Sequence, residues 1–417
     1  MRTKHFVLVL CCIAASTLLF IIFGTSESND SFKNIVSHTH QQINKFQENL
    51  RVSEEKKLEI DEKYLSILGF TSYLPNNTKK NVDETVYFKY DAHNTNEKTQ
   101  TYMGHSMKMN NMQYLHYHIQ NVDNAQSTQS QVHATSAHVF NGTKVNFTIV
   151  TYVQEGQAPS AILLSQNIAL KFPNEYLIIY DLGLSEEDLK ALSAYCNNSR
   201  CLVISYDLSI FPSHVTDQRM HAYRSIVIKD ALMRSKSILF AENYIRIRGT
   251  NRDLNELRKK LHAVGVLGWN TPTAVSTRTH PKMFDYFQTD ADDYFFLKMV
   301  DLDTVLFEDT DFVAEKILLP WIKCALTLEC LDPIGANWAG CKYNKKPQYR
   351  YSGCHSYDTS AFNIVLGLTW HLDDTKYSLP SEKYNIFYKE TLEQATKILE
   401  NRRRNNSEAS EHPFTED

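Results

Sequence analysis

From Val145 to His262, runs with strand-like character alternate with stretches of helical periodicity, and this rhythm restricts the fold more than any other feature of the chain. Val145–Val153 alternates as a strand, Ser160–Lys171 is helical, and Tyr176–Tyr180 is a short apolar run ending at Asp181. Ser185 then opens a helix, with a hydroxyl suited to capping and Glu186, Glu187 and Asp188 in the first turn, where the helix dipole favours acids. Cys201–Tyr206 continues the series as a strand, His221–Arg234 as a helix, Ser237–Phe240 as a strand and Asp253–His262 as a helix. Such alternation predicts an α/β fold, a mainly parallel sheet flanked by helices, with ligands at the carboxyl ends of the strands. Beyond residue 265 the rhythm becomes irregular.

Ahead of this region, Phe6–Phe23 is eighteen residues long without a charge. It exceeds the roughly 7–15 apolar residues of a secretory signal core and reaches the length of a membrane-span candidate. Arg2 and Lys4 on one flank, with Glu27 and Asp30 on the other, place the short N-terminus in the cytosol. The expectation is a signal-anchored, single-pass type II membrane protein that contacts the lipid bilayer through this helix, with its main domain in the lumen of the Golgi or endoplasmic reticulum. The alternative is a signal cleaved near Gly24 or Ser26, and it also enters the secretory pathway.

The chain divides into the tip and anchor (1–23), a stem (24–81), a small strand-rich segment with a linker (82–145), a lumenal domain (146–400) and a polar tail (401–417). Ile43, Phe46 and Leu50 recur at helical spacing in the stem, and Val82–Gln120 contains alternating stretches. Asn121–His138 has almost no residues that pack a core.

A formal charge of -4 gives no electrostatic footprint for nucleic acid. Cys11 and Cys12 fall in the anchor, and six cysteines follow it. In an oxidising lumen these suggest disulfides, with Cys196/Cys201, Cys324/Cys330 and Cys341/Cys354 the sequence-local pairs. A zinc site is the weaker reading, since there is no CxxC pair and His355 lacks regular ligand spacing. Asn29, Asn76, Asn141, Asn146, Asn197 and Asn405 stand in Asn-x-Ser/Thr sequons that become glycosylation acceptors in the lumen.

No GxGxxG, Walker A, GxSxG or HExxH string occurs, which counts against dinucleotide enzymes, P-loop phosphotransferases, α/β-hydrolases and zincins. His38/His40 and His116/His118 read as ordinary exposed histidines.

Four segments occur in order: Tyr180-Asp-Leu-Gly-Leu-Ser185, Ala222-Tyr-Arg-Ser-Ile-Val-Ile-Lys-Asp-Ala-Leu232, Ser237-Ile-Leu-Phe-Ala-Glu-Asn-Tyr-Ile-Arg-Ile247 and Cys354-His-Ser-Tyr-Asp-Thr-Ser-Ala361. Together they resemble an uncharacterised family of animal type II membrane proteins, itself similar to GT-A nucleotide-sugar glycosyltransferases, over roughly Asn146–Trp370. The resemblance implies transfer of a sugar from a nucleotide donor to a glycan or glycoprotein hydroxyl, with Mn or Mg as a possible cofactor.

Where such enzymes carry an acidic metal-binding motif, this chain reads Ala241-Glu242-Asn243, with no second carboxylate. Glu242 is thus the donor-site and metal candidate, with a solvent-facing strand-end glutamate as the structural alternative. Of three DxD strings, Asp290/Asp292, Asp301/Asp303 and Asp309/Asp311, only Asp301/Asp303 follows an apolar run, which makes it the reserve metal site. Arg224 aligns with a family lysine, where a cation would offset diphosphate charge. Asp358 is the candidate general base, with His355 orienting it or the acceptor, the two sharing a face if their segment is helical. A helix cap is the structural reading of Asp358. Two other functions stay open: a non-catalytic lumenal pseudoenzyme acting as a binding subunit, and a methyltransferase, disfavoured because no glycine-rich loop follows the first strand.

Overall fold

The apolar runs of the sequence form the parallel half of a seven-stranded sheet. The computed structural model describes residues 60–70, 144–344, 346–380 and 386–411. The anchor run, the stem positions Ile43, Phe46 and Leu50, the segments 82–120 and 121–138, and the sequons at Asn29, Asn76 and Asn141 lie outside the described residues. Among the described residues, no helix is long and apolar enough to cross a membrane.

The helices that matter for the site are α1 (Glu62–Ile67), α2 (Ala158–Lys171), α3 (Glu186–Tyr195), α4 (Tyr223–Arg234), α5 (Asn251–Val264), α6 (Leu319–Leu326), α7 (Tyr357–Thr369) and α8 (Leu392–Glu411). The strands are β1 (Thr148–Val153), β2 (Tyr176–Asp181), β3 (Cys201–Ser205), β4 (Ser237–Ala241), β5 (Ile245–Ile247), β6 (Val266–Ala274), β7 (Lys298–Glu308), β8 (Ser378–Pro380) and β9 (Phe387–Lys389). The main sheet runs β3-β2-β1-β4-β7-β6-β8, and β5 pairs with β9 in a small second sheet.

Strands β3, β2, β1 and β4 are mutually parallel. Their continuous apolar character follows from burial on both faces. Val150 and Tyr152 of β1 join one core with Ile226 of α4 and Phe362 of α7. Ile149 and Val153 point the other way, into a core with Leu164 of α2 and Leu257 of α5. Ser185 caps α3 as expected, accepting from the Asp188 N–H. The chain moves outward from β1 to β2 and β3, then crosses back to β4 on the other side of β1. Folds of this architecture bind ligands at such a reversal, which here falls at the carboxyl ends of β1 and β4.

The structure adds to the sequence reading in three places. The irregular region beyond residue 265 holds the two longest strands, β6 and β7, antiparallel to one another, with β7 also antiparallel to β4. Their rhythm is hidden by register shifts after Gly268 and Asn270, by Pro272, and by Asp301, Asp303 and Thr304 inside β7. Residues 60–70, assigned to the stem, pack into the core instead: Leu65, Ile67, Leu68 and Phe70 are buried, and the Lys229 ammonium lies 4.7 Å from the Phe70 ring centroid. The tail beginning at Asn401 continues α8 to Glu411.

The three sequence-local cysteine pairs are joined as disulfides, with Cα separations of 5.1 Å for Cys196–Cys201, 5.3 Å for Cys324–Cys330 and 4.9 Å for Cys341–Cys354. Asn146, Asn197 and Asn405 are exposed.

Candidate functional site

A buried polar cluster lies at this reversal point. Glu242 directly follows β4, Arg224 is in the first turn of α4, and Asp358 is in the first turn of α7. Arg224 Nε and Nη2 lie 2.7 and 2.6 Å from Glu242 Oε1, and Nη1 lies 3.2 Å from Asp358 Oδ2. The Tyr152 hydroxyl donates to the same Glu242 oxygen at 3.0 Å. The relative exposures of Arg224, Glu242 and Asp358 are 6%, 2% and 1%. Glu242 is therefore no solvent-facing strand end, and Arg224 is no solvated helix charge. Nor does Asp358 cap its helix: Ser356 holds the N-cap position, and the Asp358 carboxylate faces Arg224. Trp321 of α6 fixes this turn by donating from Nε1 to the Asp358 carbonyl at 3.1 Å.

Burial raises the Asp358 carboxyl from 3.8 to about 7, with Arg224 opposing the shift. Burial also raises Glu242, again against Arg224. The Arg224 guanidinium is desolvated too, but Glu242 and Asp358 hold it firmly charged. Two residues with left-handed backbone flank the cluster, His221 (φ 53°) just before α4 and Tyr357 (φ 43°) just before Asp358. Strained non-glycine positions of this kind concentrate at functional sites.

His221 extends the cluster. Its Nδ1 is 2.9 Å from the Tyr223 hydroxyl, which donates to Gln154 Oε1 at 3.3 Å. The ring, the Tyr223 hydroxyl and Gln154 thus form one chain of hydrogen bonds. Burial, then Arg224, pushes the His221 pKa down to about 3, so the ring is neutral.

Asp301 and Asp303 occupy alternate positions of β7. Lys389 of β9 forms an ion pair with Asp303 Oδ2 and lies 3.6 Å from Asp301 Oδ2, while the Tyr244 hydroxyl donates to Asp303 Oδ1 at 2.6 Å. The Glu242 N–H donates to the Asp303 carbonyl at 2.9 Å, which ties this pair to the buried cluster.

His355 is placed elsewhere. Helix α7 begins only at Tyr357, so His355 and Asp358 do not share a helical face, and among the described residues no hydrogen bond joins them. The His355 ring is buried, with Nδ1 accepting from the His280 N–H at 3.1 Å and Nε2 bonded to the Leu331 carbonyl at 3.1 Å. Its own N–H donates to the Asn337 carbonyl at 2.6 Å. Burial pushes its pKa down to about 3. Beside the Cys341–Cys354 bridge, this ring fastens three loop segments together.

The site's carboxylates do not fit a divalent cation. Glu242 and Asp358 are already paired with Arg224, Asp301 and Asp303 with Lys389, and among the described residues no group of three or more acidic, histidine or cysteine side chains converges on a metal position. Sequence reasoning missed Tyr152, His221, Tyr223, Tyr244 and Lys389. Tyr223 and Tyr244 lie inside quoted motifs, but Lys389 had no signal, because its partners are far away in the chain.

The chain matches no model of a known protein family and no curated protein. It is similar to several solved structures. The WbbM bifunctional glycosyltransferase, apo, is 12% identical, covering 54% of this chain and 38% of that one at a TM-score of 0.37. Mouse xyloside xylosyltransferase 1, apo, is 10% identical, covering 58% and 85% at 0.34. Core-mannan synthase A from Aspergillus fumigatus, in a Mn/GDP form, is 11% identical, covering 54% and 71% at 0.37. This chain spans 38% of the WbbM chain and 65% and 62% of two LgtC chains. Similarity at these identities and scores assigns no activity.

Proposed function

We propose that this chain is a glycosyltransferase-like protein that moves a sugar from a nucleotide donor to a glycan or glycoprotein hydroxyl, anchored as a single-pass type II protein in the Golgi or endoplasmic reticulum. The observation that carries the activity is the Glu242–Arg224–Asp358 cluster at the reversal point of a mainly parallel sheet, the place where folds of this architecture bind ligands. The order of the four sequence motifs points the same way.

In this reading, Arg224 offsets charge on the diphosphate and Glu242 fixes the guanidinium. Asp358, with a pKa of about 7, takes the proton of the acceptor hydroxyl. The acceptor oxygen bonds to the anomeric carbon, and the bond from that carbon to the diphosphate breaks, its electron pair leaving with the nucleotide. His355 holds the acceptor-side loops. A donor screen reading nucleotide release, with and without manganese, tests the activity; no release and no thermal stabilisation by any donor refutes it. Alkaline carbonate extraction tests the anchor, which fails if the protein is soluble with a new N-terminus near residue 26.

One observation favours the second reading, a pseudoenzyme acting as a binding subunit. Glu242 and Asp358 are almost completely buried and already neutralised within the chain. Donor binding without turnover would establish that reading.

A further inference from the structure

Asp301 and Asp303 face the same way from a single strand next to the reversal point, the arrangement in which hard oxygen ligands hold a divalent ion. In this chain Lys389 and Tyr244 face these carboxylates. Asp303 Oδ1 accepts from Tyr244, Asp303 Oδ2 pairs with Lys389, Asp301 Oδ1 accepts from the Asp303 N–H at 3.3 Å, and Asp301 Oδ2 faces Lys389.

The backbone fixes the lysine where it is. Lys389 stands opposite Ile245 in the β5–β9 pairing, directly after Tyr244, and the next residue, Glu390, donates its N–H to the Tyr244 carbonyl at 2.9 Å. Glu390 is also tied to Arg246 by a 2.8 Å ion pair. The Lys389 side chain is nonetheless 62% exposed, so part of it stays open to solvent. An ammonium has three donors, and two carboxylates leave capacity for an anion.

We infer that Lys389 is a protein-supplied cation standing between Asp301 and Asp303 in place of a divalent metal, so that this chain handles a nucleoside diphosphate without one. Arg224 plays the same part between Glu242 and Asp358. The ion position of the strand pair is filled by a side chain that cannot dissociate. This inference rests on the transferase reading for its ligand, but not for the cation position itself.

The test uses the full-length protein and Mn2+ alone, with free Mn2+ followed by electron paramagnetic resonance. The wild type should show no saturable Mn2+ binding at these residues, whereas Lys389→Met should gain one saturable site, lost again when Asp303→Asn is added. Lys389→Arg keeps the cation and should exclude Mn2+ as the wild type does. A wild-type Mn2+ site that Asp303→Asn abolishes overturns the inference, and so does a folded Lys389→Met that gains none. If Lys389→Met does not fold, the wild type and Asp303→Asn alone decide the matter in the same terms.

A second arm measures binding of uridine and guanosine diphosphates with and without a chelator. Unchanged affinity in chelator supports metal independence, and loss of binding overturns it. If neither nucleotide binds under any condition while Lys389→Met gains Mn2+, the transferase reading falls and the lysine-filled cation position stands.

Discussion

The carboxylate of Asp358 lies 3.2 Å from the guanidinium of Arg224, although 134 residues separate them in the chain. The contact joins the first turns of α4 and α7 beneath the end of β4. It brings two of the quoted motifs to a single point, with Glu242 of a third on the other side of the arginine.

Asp358 makes stability depend on pH. Its folded pKa of about 7 lies above the ordinary 3.8, so folding favours the protonated form. The contribution is complete below the ordinary value and is lost as pH rises through about 7, which amounts to about 4 kcal/mol. Asp358→Asn is neutral throughout. Urea titrations at pH 4 to 8 should therefore show wild-type stability falling relative to Asp358→Asn by about that amount. In turnover, the wild-type rate should rise through pH 7, and the folded variant should lose about 10²–10⁴-fold.

Removing Arg224 strands two buried carboxylates. Arg224→Met should cost about 3–5 kcal/mol, measured by denaturant unfolding. Adding Glu242→Gln should recover part of that loss, because only one carboxylate then lacks a cation. An additive double variant would mean that the pair does not interact.

The Cys341–Cys354 bridge closes a loop with a sequence separation of 13. Replacing both cysteines with serine should lower stability by about 3 kcal/mol. Non-reducing peptide mapping should find all three bridges in protein from the secretory pathway, and free thiols at these six positions would contradict the pairing.

Exposed acceptors make the topology testable. Asn146, Asn197 and Asn405 all stand at the surface. Glycopeptide mapping of protein from animal cells should find glycan on Asn146 and Asn197. Unmodified asparagine at every sequon would place the domain outside the lumen.

Much of the parallel half was legible, because strands buried on both faces spell apolar runs and the helices between them carry ordinary signals such as Ser185. Antiparallel β6 and β7 were not legible. A register shift at Gly268 and charges at Asp301 and Asp303 break any simple period, and the latter are tolerable in a strand because Lys389 meets them. Among the site residues, Glu242, Arg224 and Asp358 were each identified separately, but their mutual pairing was not. Distance along the chain hides such a contact. The His355 assignment rested on a helical face that begins two residues too late.

Leu65, Leu68 and Phe70 share one core with Ile226 and Phe362, so the short segment 60–70 belongs to the folded body. An expression fragment starting at Asn146 would expose the surface that Leu65, Leu68 and Phe70 cover.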